Sequence, residues 1–242
     1  MFLNRSTHGP VDLAFTDRFG GVSAVPYDEL DLALDGDAPE ARAENLRRVV
    51  EAFAPGARVA QMRQVHGCDV VRVGEPQDDP PPEADGLVST EPDLVLMVRV
   101  ADCAPVLLAD VEGGVIGAAH AGRLGMVAGV VSATVARMRE AGATTIEAWV
   151  GPHICGACYE VPASMQAEVG AVVPESVSTT TWGTPALDLG AGVRAQLVAL
   201  GVVVHELSAC TRESADLYSF RRDGAAAGRL AGLIRLRSGD AG

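Results

Sequence analysis

The sequence predicts an α/β fold in an α+β arrangement, with mixed β-sheets, in one domain spanning residues 1–242. Short apolar segments typical of strands and longer amphipathic segments typical of helices follow one another without strict alternation. This order favours a mixed sheet over a doubly wound parallel one. Hydrophobic residues make up 48% of the chain and charged residues 21%, as in ordinary globular proteins. A chain of this length buries a core large enough to fold without covalent staples.

The first hundred residues are predicted to contain one helix, at Glu40–Phe53, where charged and apolar residues recur at helical spacing. The acidic, proline-rich stretch Glu75–Asp85 is predicted to be a loop. Apolar and β-branched residues predict strands at Val11–Thr16, Val59–His66, Val70–Val73 and Leu94–Val100.

The rest of the chain begins with a predicted hairpin, in which Val106–Asp110 and Val115–His120 flank a turn containing two glycines. Helices are predicted at Leu124–Ala141, Pro162–Val172 and Leu187–Leu200, and further strands at Thr145–Val150, Val202–Glu206 and Gly228–Leu236.

The charge composition excludes several function classes. The formal net charge of −13 argues against nucleic acid or an anionic membrane as partner, because both need basic patches. All 19 basic residues are arginine. The absence of lysine excludes a P-loop lysine, a Schiff-base lysine and a pyridoxal-phosphate enzyme. A fixed cationic contact to a phosphate must therefore come from arginine.

Cysteine usage and the N-terminus predict a cytoplasmic protein with reduced thiols. Five cysteines in 242 residues do not form the framework of a small disulfide-rich protein. The first residues lack a basic region followed by an apolar run, and the longest nearly apolar run, Leu124 to Ala136, is too short for a bilayer.

Three side chains suited to binding a metal lie near predicted strand ends: His66, Cys103 and His120. In the predicted hairpin, residue 120 lies opposite Pro105, so Cys103 is two positions from the facing residue. A strand break is expected at Pro105, because proline cannot continue a central ladder. Such a bend would turn the thiol towards the His120 imidazole.

His66 precedes Gly67, which permits a tight turn at the edge of the sheet. Two imidazoles and one thiolate are suitable zinc ligands, and three protein ligands leave a fourth position open, as in catalytic zinc sites. The alternative is that Cys103 is a small buried apolar residue and that the histidines are hydrogen-bonded polar groups.

Other histidines and cysteines are interpreted as structural. Cys155 and Cys158 form a CxxC motif without a second CxxC to complete a four-cysteine zinc site, so ordinary loop cysteines are expected. His8 is expected near a loose terminus, and His205 on a buried strand.

Several short segments follow one another in order along nearly the whole chain. They are Phe15-Thr16-Asp17-Arg18, Gly20-Gly21-Val22-Ser23, Glu44-Asn45, Gln64-Val65-His66-Gly67, Ala84-Asp85-Gly86, Ala101-Asp102-Cys103-Ala104-Pro105, His120-Ala121-Gly122, Gly151-Pro152-His153-Ile154, Cys158-Tyr159-Glu160-Val161, Cys210-Thr211 and Ser219-Phe220-Arg221-Arg222-Asp223. Together they resemble the YfiH-like family, also called the laccase-domain or multicopper polyphenol oxidoreductase family.

The resemblance implies a layered α/β fold and zinc held by His66, Cys103 and His120. It also implies phosphorolysis of adenosine, inosine and methylthioadenosine, with deamination of adenosine. A purine nucleoside and phosphate are then the small-molecule partners. The residues expected to contact them are Arg18, Gln64, Asp102, Arg221 and Arg222.

Two departures from the family pattern put substrate specificity in question. After His-Ala-Gly, family members usually continue with Trp-Arg-Gly or Trp-Lys-Gly, whereas this chain has Arg123-Leu124-Gly125. An asparagine expected in the early Leu-Asn-Leu segment is Asp31 here.

Three alternative functions use the same residues. Cys103 as nucleophile and His120 as base would make a hydrolase of amide-like bonds in peptidoglycan precursors. A copper-dependent polyphenol oxidase is disfavoured, since five histidines without a His-x-His pair are too few for a four-copper laccase, although copper binds most nitrogen and sulfur sites strongly. The altered loop after His120 favours a metal-binding interaction protein with weak activity.

Overall fold

A computed structural model describes residues 1–74 and 80–238. The helices are α1 Pro39–Phe53, α2 Arg123–Ala128, α3 Val130–Glu140, α4 Ala163–Gly170, α5 Leu189–Ala199 and α6 Phe220–Asp223. The strands are β1 Phe2–His8, β2 Val11–Thr16, β3 Arg58–Ala60, β4 Val70–Arg72, β5 Gly86–Ser89, β6 Leu94–Val100, β7 Ala104–Asp110, β8 Val115–Ala121, β9 Glu147–Val150, β10 Val177–Thr179, β11 Pro185–Leu187, β12 Val203–Glu206 and β13 Leu230–Leu236. Within the described residues, no helix combines the length and the apolar character needed to cross a membrane.

Two large sheets confirm the predicted mixed α/β architecture. One has the strand order β1-β2-β13-β6-β3, and the other has the order β12-β9-β7-β8-β5-β4. Each sheet mixes directions: β3 runs parallel to β6, and β12 runs parallel to β9, whereas the central pairs are antiparallel. Strands β10 and β11 form a separate small hairpin.

The two sheets pack face to face between outer layers of helix. Along β7, Leu107 and Ala109 face the apolar layer shared by both sheets, whereas Val106 and Leu108 face the layer beneath α2–α5. Because alternate residues of a strand point to opposite faces, β7 is apolar throughout. Helix α1 covers the outer face of the five-stranded sheet with Val49 and Phe53. The order helix–sheet–sheet–helix confirms the expected layered fold.

One end of the six-stranded sheet gathers the chain segments that carry the candidate metal ligands. The register pairs Pro105 with His120, and Val106 with Val150. Val150 in turn pairs with Glu206. The start of β7 and the ends of β8, β9 and β12 therefore meet at one edge, and the segments continuing beyond it lie close together.

The predicted strand Val59–His66 is wrong over most of its length, because β3 ends at Ala60. Only an isolated bridge joins Arg63 to Glu83. Beyond it, the backbone N–H groups of Val65, His66 and Gly67 donate to the Asp85 carboxylate instead of a neighbouring strand. A side chain thus replaces the ladder here.

The single helix predicted at Leu124–Ala141 is divided into α2 and α3. Gly129 separates them with φ +86°, a left-handed conformation that ends a helix and that glycine adopts without steric cost. The sequence pattern continues across the break because both helices bury apolar residues against the same face of the six-stranded sheet.

Pro105 does not break its strand, contrary to expectation. The carbonyl oxygen of Pro105 accepts a hydrogen bond from Gly151 N–H, on the side of the strand that faces β9. The proline nitrogen points to this same side, and β9 has already ended there, at Val150. No ladder hydrogen bond is lost with β8. Proline is therefore accommodated inside β7, and the thiol of Cys103 is positioned by the turn before the strand.

Two histidines lie in environments other than those expected. His8 belongs to β1, and its ring lies 4.7 Å from that of Trp149, so this terminus is ordered. His205 lies exposed on the edge strand β12 rather than buried, with Nε2 2.7 Å from Glu147 Oε2.

Sequence periodicity missed the strands β1, β5, β10 and β11, which are short or, in β1, mainly polar. The other predicted elements are confirmed in type, with ends shifted by at most two residues. Of the predicted loop Glu75–Asp85, residues 75–79 lie outside the described residues.

Candidate functional site

The structure brings His66, Cys103 and His120 together. One ligand atom from each lies within 4.8 Å of the others, and Cys103 Sγ is 3.8 Å from His66 Nε2. The rings of the two histidines have centroids 4.7 Å apart. We call these three residues the open cluster, because the part of the chain that the structure describes offers three ligands here.

Backbone geometry positions the open cluster. His120 lies near the end of β8 opposite Pro105, in the register that the hairpin predicted. His66 itself takes a positive φ of 61°, where the sequence indicated a turn at Gly67. Asp102, beside Cys103, has φ +88°. Such conformations in residues other than glycine cost free energy and are concentrated at functional sites.

Asp85 organises the open cluster, although sequence analysis gave it no role. Its Oδ1 is 2.8 Å from His120 Nδ1, and the backbone N–H groups of His66 and Gly67 donate to its carboxylate at 3.0 and 2.6 Å. Burial opposes ionisation, but these hydrogen bonds outweigh it and lower the pKa of Asp85. The contact to Nδ1 leaves His120 Nε2 to face a metal, the usual arrangement of carboxylate-oriented histidine ligands.

Two adjacent glycines allow this close packing. A Cβ atom on Gly122 would lie 2.8 Å from His66 Cδ2 and 2.9 Å from Cys103 Sγ. On Gly125 it would lie 3.0 Å from the carbonyl oxygen of Gly67. Gly122 begins α2 directly against the open cluster, so a larger residue there would separate the ligands.

Without metal, the open cluster holds a thiolate–imidazolium pair. Burial disfavours the Cys103 thiolate, but the neighbouring His120 and His66 outweigh it and lower the pKa to about 6. Burial likewise disfavours charged His120, but the Cys103 thiolate and Asp85 raise its pKa to about 9. Both groups are charged at neutral pH, and the thiolate is the form that binds metals and attacks electrophiles.

A cavity of about 730 Å³ opens in front of the cluster. Its size is in the range of small-molecule sites. Among the described residues, arginines outnumber aspartates in its lining, in a protein whose net charge is −13: Arg63, Arg99, Arg221 and Arg229 against Asp35 and Asp102. This local positive charge, far from the protein's average, suits an anionic ligand.

Among the described arginines of the lining, Arg99 is the one with a buried donor that has no partner. Its Nε and Nη2 donate to Leu32 O and Gln61 Oε1, whereas Nη1 is buried without a hydrogen-bond partner among the described residues. Burial lowers the pKa of Arg99 to about 10, with Asp31 opposing the shift. Sequence analysis missed Arg99, because it lies inside an apolar strand, β6.

Three of the five predicted substrate-contacting residues line the cavity. Arg221 stacks over Tyr159, and its backbone N–H donates to Asp102 Oδ2 at 2.6 Å. Asp102 Oδ1 accepts from Thr211 Oγ1 at 2.6 Å, so both carboxylate oxygens are engaged. The Gln64 amide pairs with the backbone N–H and carbonyl of Arg99.

The guanidinium groups of the other two, Arg18 and Arg222, are directed at protein carbonyls. Arg18 donates twice to Asp28 O, and Arg222 donates to the carbonyls of Thr211, Ser214 and Leu217. Neither lines the described cavity. The contacts of Arg222 hold the segment that leads into α6, the helix that contains Arg221.

Arg123, at the departure from the family pattern, lies near Tyr159, the side chain over which Arg221 stacks. Burial raises the pKa of Tyr159, the Cys103 charge raises it further, and the charge of Arg123 opposes the shift. Leu124, in contrast, is exposed. The cation at this position therefore lies near a residue of the cavity wall, one position earlier in the sequence than in the family pattern.

Asp31, the second departure, is fully buried. Its Oδ1 accepts from the backbone N–H groups of Ala33 and Arg229, whereas Oδ2 has no partner among the described residues. Burial raises the pKa of Asp31 despite these hydrogen bonds.

A second group of metal-binding side chains lies outside the cavity: Cys155, Cys158, Cys210 and Glu213. We call it the closed cluster, because it offers four protein ligands within 4.8 Å of one another. Sequence analysis considered only a second CxxC motif as the source of further ligands. It therefore missed Cys210 and Glu213, which come from the segment after β12.

Fold and site thus define a layered α/β protein with a cluster of three side chains that could hold a metal ion, at the base of a cationic cavity. The chain belongs to the family described as multi-copper polyphenol oxidoreductase laccase, whose model matches residues 12–237. This confirms the resemblance found in the sequence.

The relatives of this chain include curated proteins and solved structures. A purine nucleoside phosphorylase of Streptomyces coelicolor is 52% identical, covering 98% of this chain and 100% of its own length. The purine nucleoside phosphorylase YfiH of Escherichia coli is 36% identical, covering 90% and 91%. The structure of YlmD from Geobacillus stearothermophilus has a TM-score of 0.87 at 30% identity, covering 95% and 93%.

Proposed function

We propose that this chain is a zinc-dependent purine nucleoside phosphorylase that acts on adenosine, inosine and methylthioadenosine and also deaminates adenosine. The observation that carries the proposal is the open cluster at the base of an arginine-lined cavity, within a family whose relatives bear the name purine nucleoside phosphorylase. Purine nucleoside and phosphate are then the small-molecule partners, and cytoplasm is the expected location.

His66, Cys103 and His120 suit zinc. Given Zn–N of about 2.0–2.1 Å and Zn–S of about 2.3 Å, the ligand atoms of a tetrahedral zinc site lie about 3.3 Å apart for two nitrogens and about 3.6 Å apart for nitrogen and sulfur. The 3.8 Å between Cys103 Sγ and His66 Nε2 is slightly longer than this value, so a small side-chain shift brings the pair into bonding range. Asp85 supplies the carboxylate that orients His120. When bound, zinc supplies Lewis-acid polarisation of an oxygen atom.

Arg221 and Arg99 are the proposed phosphate contacts. Arg221 lines the cavity and is held in place through its backbone by Asp102. Arg99 also lines the cavity and adds a second positive charge; its Nη1 has no protein partner within the described residues but is buried, so a direct contact with phosphate requires the side chain to turn towards the cavity. An arginine hydrogen bond to phosphate is charge-assisted, and it also offsets the mutual repulsion of phosphate and the engaged Asp102 carboxylate.

The nucleoside has an apolar wall available. Leu34 and Phe220, both exposed, line the same cavity as the arginines. A purine base against these side chains would place its ribose between the apolar wall and the bound phosphate. Burial of the base excludes water, which competes with phosphate as the nucleophile.

In phosphorolysis, a phosphate oxygen forms a bond to the ribose anomeric carbon as the bond from that carbon to the purine nitrogen breaks. The purine leaves with the electron pair of the broken bond and takes up a proton from water. Charge on phosphate is held by Arg221 and Arg99, whose fixed positions reduce the entropy lost in bringing the reactants together. Asp102 acts as a positioning residue, since both of its oxygens already accept hydrogen bonds.

The test is an assay of purified protein with inosine, adenosine or methylthioadenosine, each with and without phosphate. We expect free base and the ribose 1-phosphate to appear in equal amounts only with phosphate. Adenosine should also give inosine, independently of phosphate. Absence of phosphate-dependent base release from all three nucleosides in zinc-loaded protein would contradict the proposal.

A second candidate, a Cys–His hydrolase of amide-like bonds in peptidoglycan precursors, is favoured by the thiolate–imidazolium pair of Cys103 and His120. Zinc bound through Cys103 would block that nucleophile. Hydrolysis of muropeptide precursors by metal-free protein, abolished by iodoacetamide and by zinc, would favour this candidate. Oxidation of a phenol by copper-loaded protein would favour the oxidase in the family's description.

A further inference from the structure

The closed cluster has the composition of a structural metal site. Cys155 and Cys158 lie in the turn after β9, and Cys210 and Glu213 lie in the segment after β12. The two segments are joined by a parallel bridge between His153 and Cys210. All five cysteines are free thiols. Four potential ligands on two segments would be cross-linked by one ion.

The distance between Cys158 and Glu213 in the closed cluster is close to that around a tetrahedral zinc ion. Cys158 Sγ lies 3.4 Å from Glu213 Oε1. For tetrahedral zinc, Zn–S of about 2.3 Å and Zn–O of about 2.0–2.2 Å place such a pair roughly 3.5 Å apart. The largest separation among the four ligand atoms is below 4.8 Å, so small side-chain rotations suffice to close the shell.

Backbone geometry supports the same interpretation. The N–H groups of Cys158 and Tyr159 both donate to Cys155 O. These hydrogen bonds form a turn that places both sulfur atoms of the CxxC motif on one side. The N–H of Cys155 donates to Cys210 Sγ at 3.4 Å. Hydrogen bonds of this kind orient metal-ligating groups and disperse charge on a thiolate.

A nearby arginine and a closely packed glycine also suit the closed cluster to binding a metal ion. Three thiolates and a carboxylate carry more negative charge than one zinc ion neutralises, and Arg212 lies within hydrogen-bonding reach of Cys158. Gly156, inside the turn, packs so closely on Ser178 and Asp188 that a Cβ atom would lie 2.7 and 2.8 Å from their side chains. The turn is therefore held in one conformation.

We propose that Cys155, Cys158, Cys210 and Glu213 bind a second zinc ion, which has a structural role. Soft thiolate ligands select zinc over hard cations, and four protein ligands leave no position for substrate. This inference stands apart from the proposed function, since it concerns other residues and makes no use of the cavity.

The second ion would stabilise one wall of the cavity. Tyr159 follows Cys158 directly in the sequence, and the Arg221 guanidinium stacks over its ring. Thr211 follows Cys210 directly and donates to Asp102. The ion would thus tie together the two segments whose next residues hold the cavity side chains in place.

The test is the metal content of protein purified without chelator or added metal. Wild type should contain two zinc ions per chain, and Cys158→Ser and Cys103→Ala should each contain one. The matched control is Cys68→Ser, which removes an exposed cysteine outside both clusters and should retain two. One zinc ion in wild type, retained by Cys158→Ser and lost in Cys103→Ala, would overturn the second site.

A measurement on wild type guards against misfolding of Cys158→Ser. Alkylation of native protein, followed by peptide mapping, should label Cys68 rapidly and leave Cys155, Cys158 and Cys210 unlabelled. A chelator should expose those three thiols to the reagent. Equal labelling with and without chelator, or a disulfide among the three, would overturn the proposal.

Discussion

The open and closed clusters use the same kinds of atoms and lie beyond the same end of one sheet, yet the tasks proposed for them differ. The open cluster has two imidazoles and one thiolate, and it faces a large cavity lined by arginines. The closed cluster has three thiolates and a carboxylate on two adjoining segments. The number of protein ligands separates the two: three leave a coordination position for chemistry, whereas four complete the shell.

Their surroundings differ in the same sense. The open cluster depends on one buried carboxylate, Asp85, on two positive φ angles nearby and on a glycine that leaves room between ligands. The closed cluster depends on a turn and on backbone hydrogen bonds. The open cluster, proposed to be catalytic, therefore has a strained backbone supported by a side chain. The closed cluster, proposed to be structural, has a regular turn.

The largest expected effect comes from removing a ligand of the open cluster. Cys103→Ser should lower the rate of phosphate-dependent base release by about 10³-fold or more, because Lewis-acid stabilisation contributes several kcal/mol. The rate is measured on inosine at saturating phosphate. Cys68→Ser serves as control and should keep the wild-type rate. If Cys103→Ser kept the wild-type rate, the open cluster would have no catalytic role, and this proposed difference between the two clusters would be wrong.

Asp85→Asn is expected to weaken the open cluster without affecting the closed one. Loss of the charged partner of His120 should lower metal affinity or activity by about 10–100-fold. Competition with a chelator measures the affinity of each cluster, and thermal unfolding in metal-free buffer checks that the fold is kept. Equal weakening of both clusters would indicate a general loss of structure instead.

Arg221→Met should raise the KM for phosphate by about 10-fold or more, because one charge-assisted hydrogen bond contributes about 1.5–3 kcal/mol. The KM for inosine should change less. Arg237→Met is the matched control, since Arg237 is exposed, donates to Gly9 O and lies away from the cavity. A similar rise in both KM values would show that Arg221 does not distinguish phosphate from nucleoside.

The smallest effect is a change in pH dependence. In metal-free protein, the pKa of Cys103 is lowered to about 6, so its thiolate is present above that pH and is lost as pH falls through it. Alkylation of Cys103 should therefore be half-maximal near pH 6, against about 8.5 for an ordinary thiol. Zinc should suppress the reaction. Half-maximal alkylation near pH 8.5 would contradict the thiolate–imidazolium pair.

Sequence reasoning predicted the fold class, the hairpin register and the trio of the open cluster, since each follows from local patterns. Pro105 opposite His120 is the clearest case. It wrongly predicted a strand up to His66, where a side chain distant in sequence determines the backbone conformation. The N–H groups of residues 65–67 donate to the Asp85 carboxylate instead of a neighbouring strand. It also missed Arg99 and the closed cluster, because burial of a guanidinium and the meeting of two remote segments leave no local periodic signal.

Diffraction from wild-type crystals at the zinc absorption edge tests the central distinction most directly. The account predicts two anomalous peaks per chain. One should be bound by His66, Cys103 and His120, with its remaining side towards the cavity, and the other by Cys155, Cys158, Cys210 and Glu213. No peak at the first trio, or a fourth protein ligand closing it, would contradict the account.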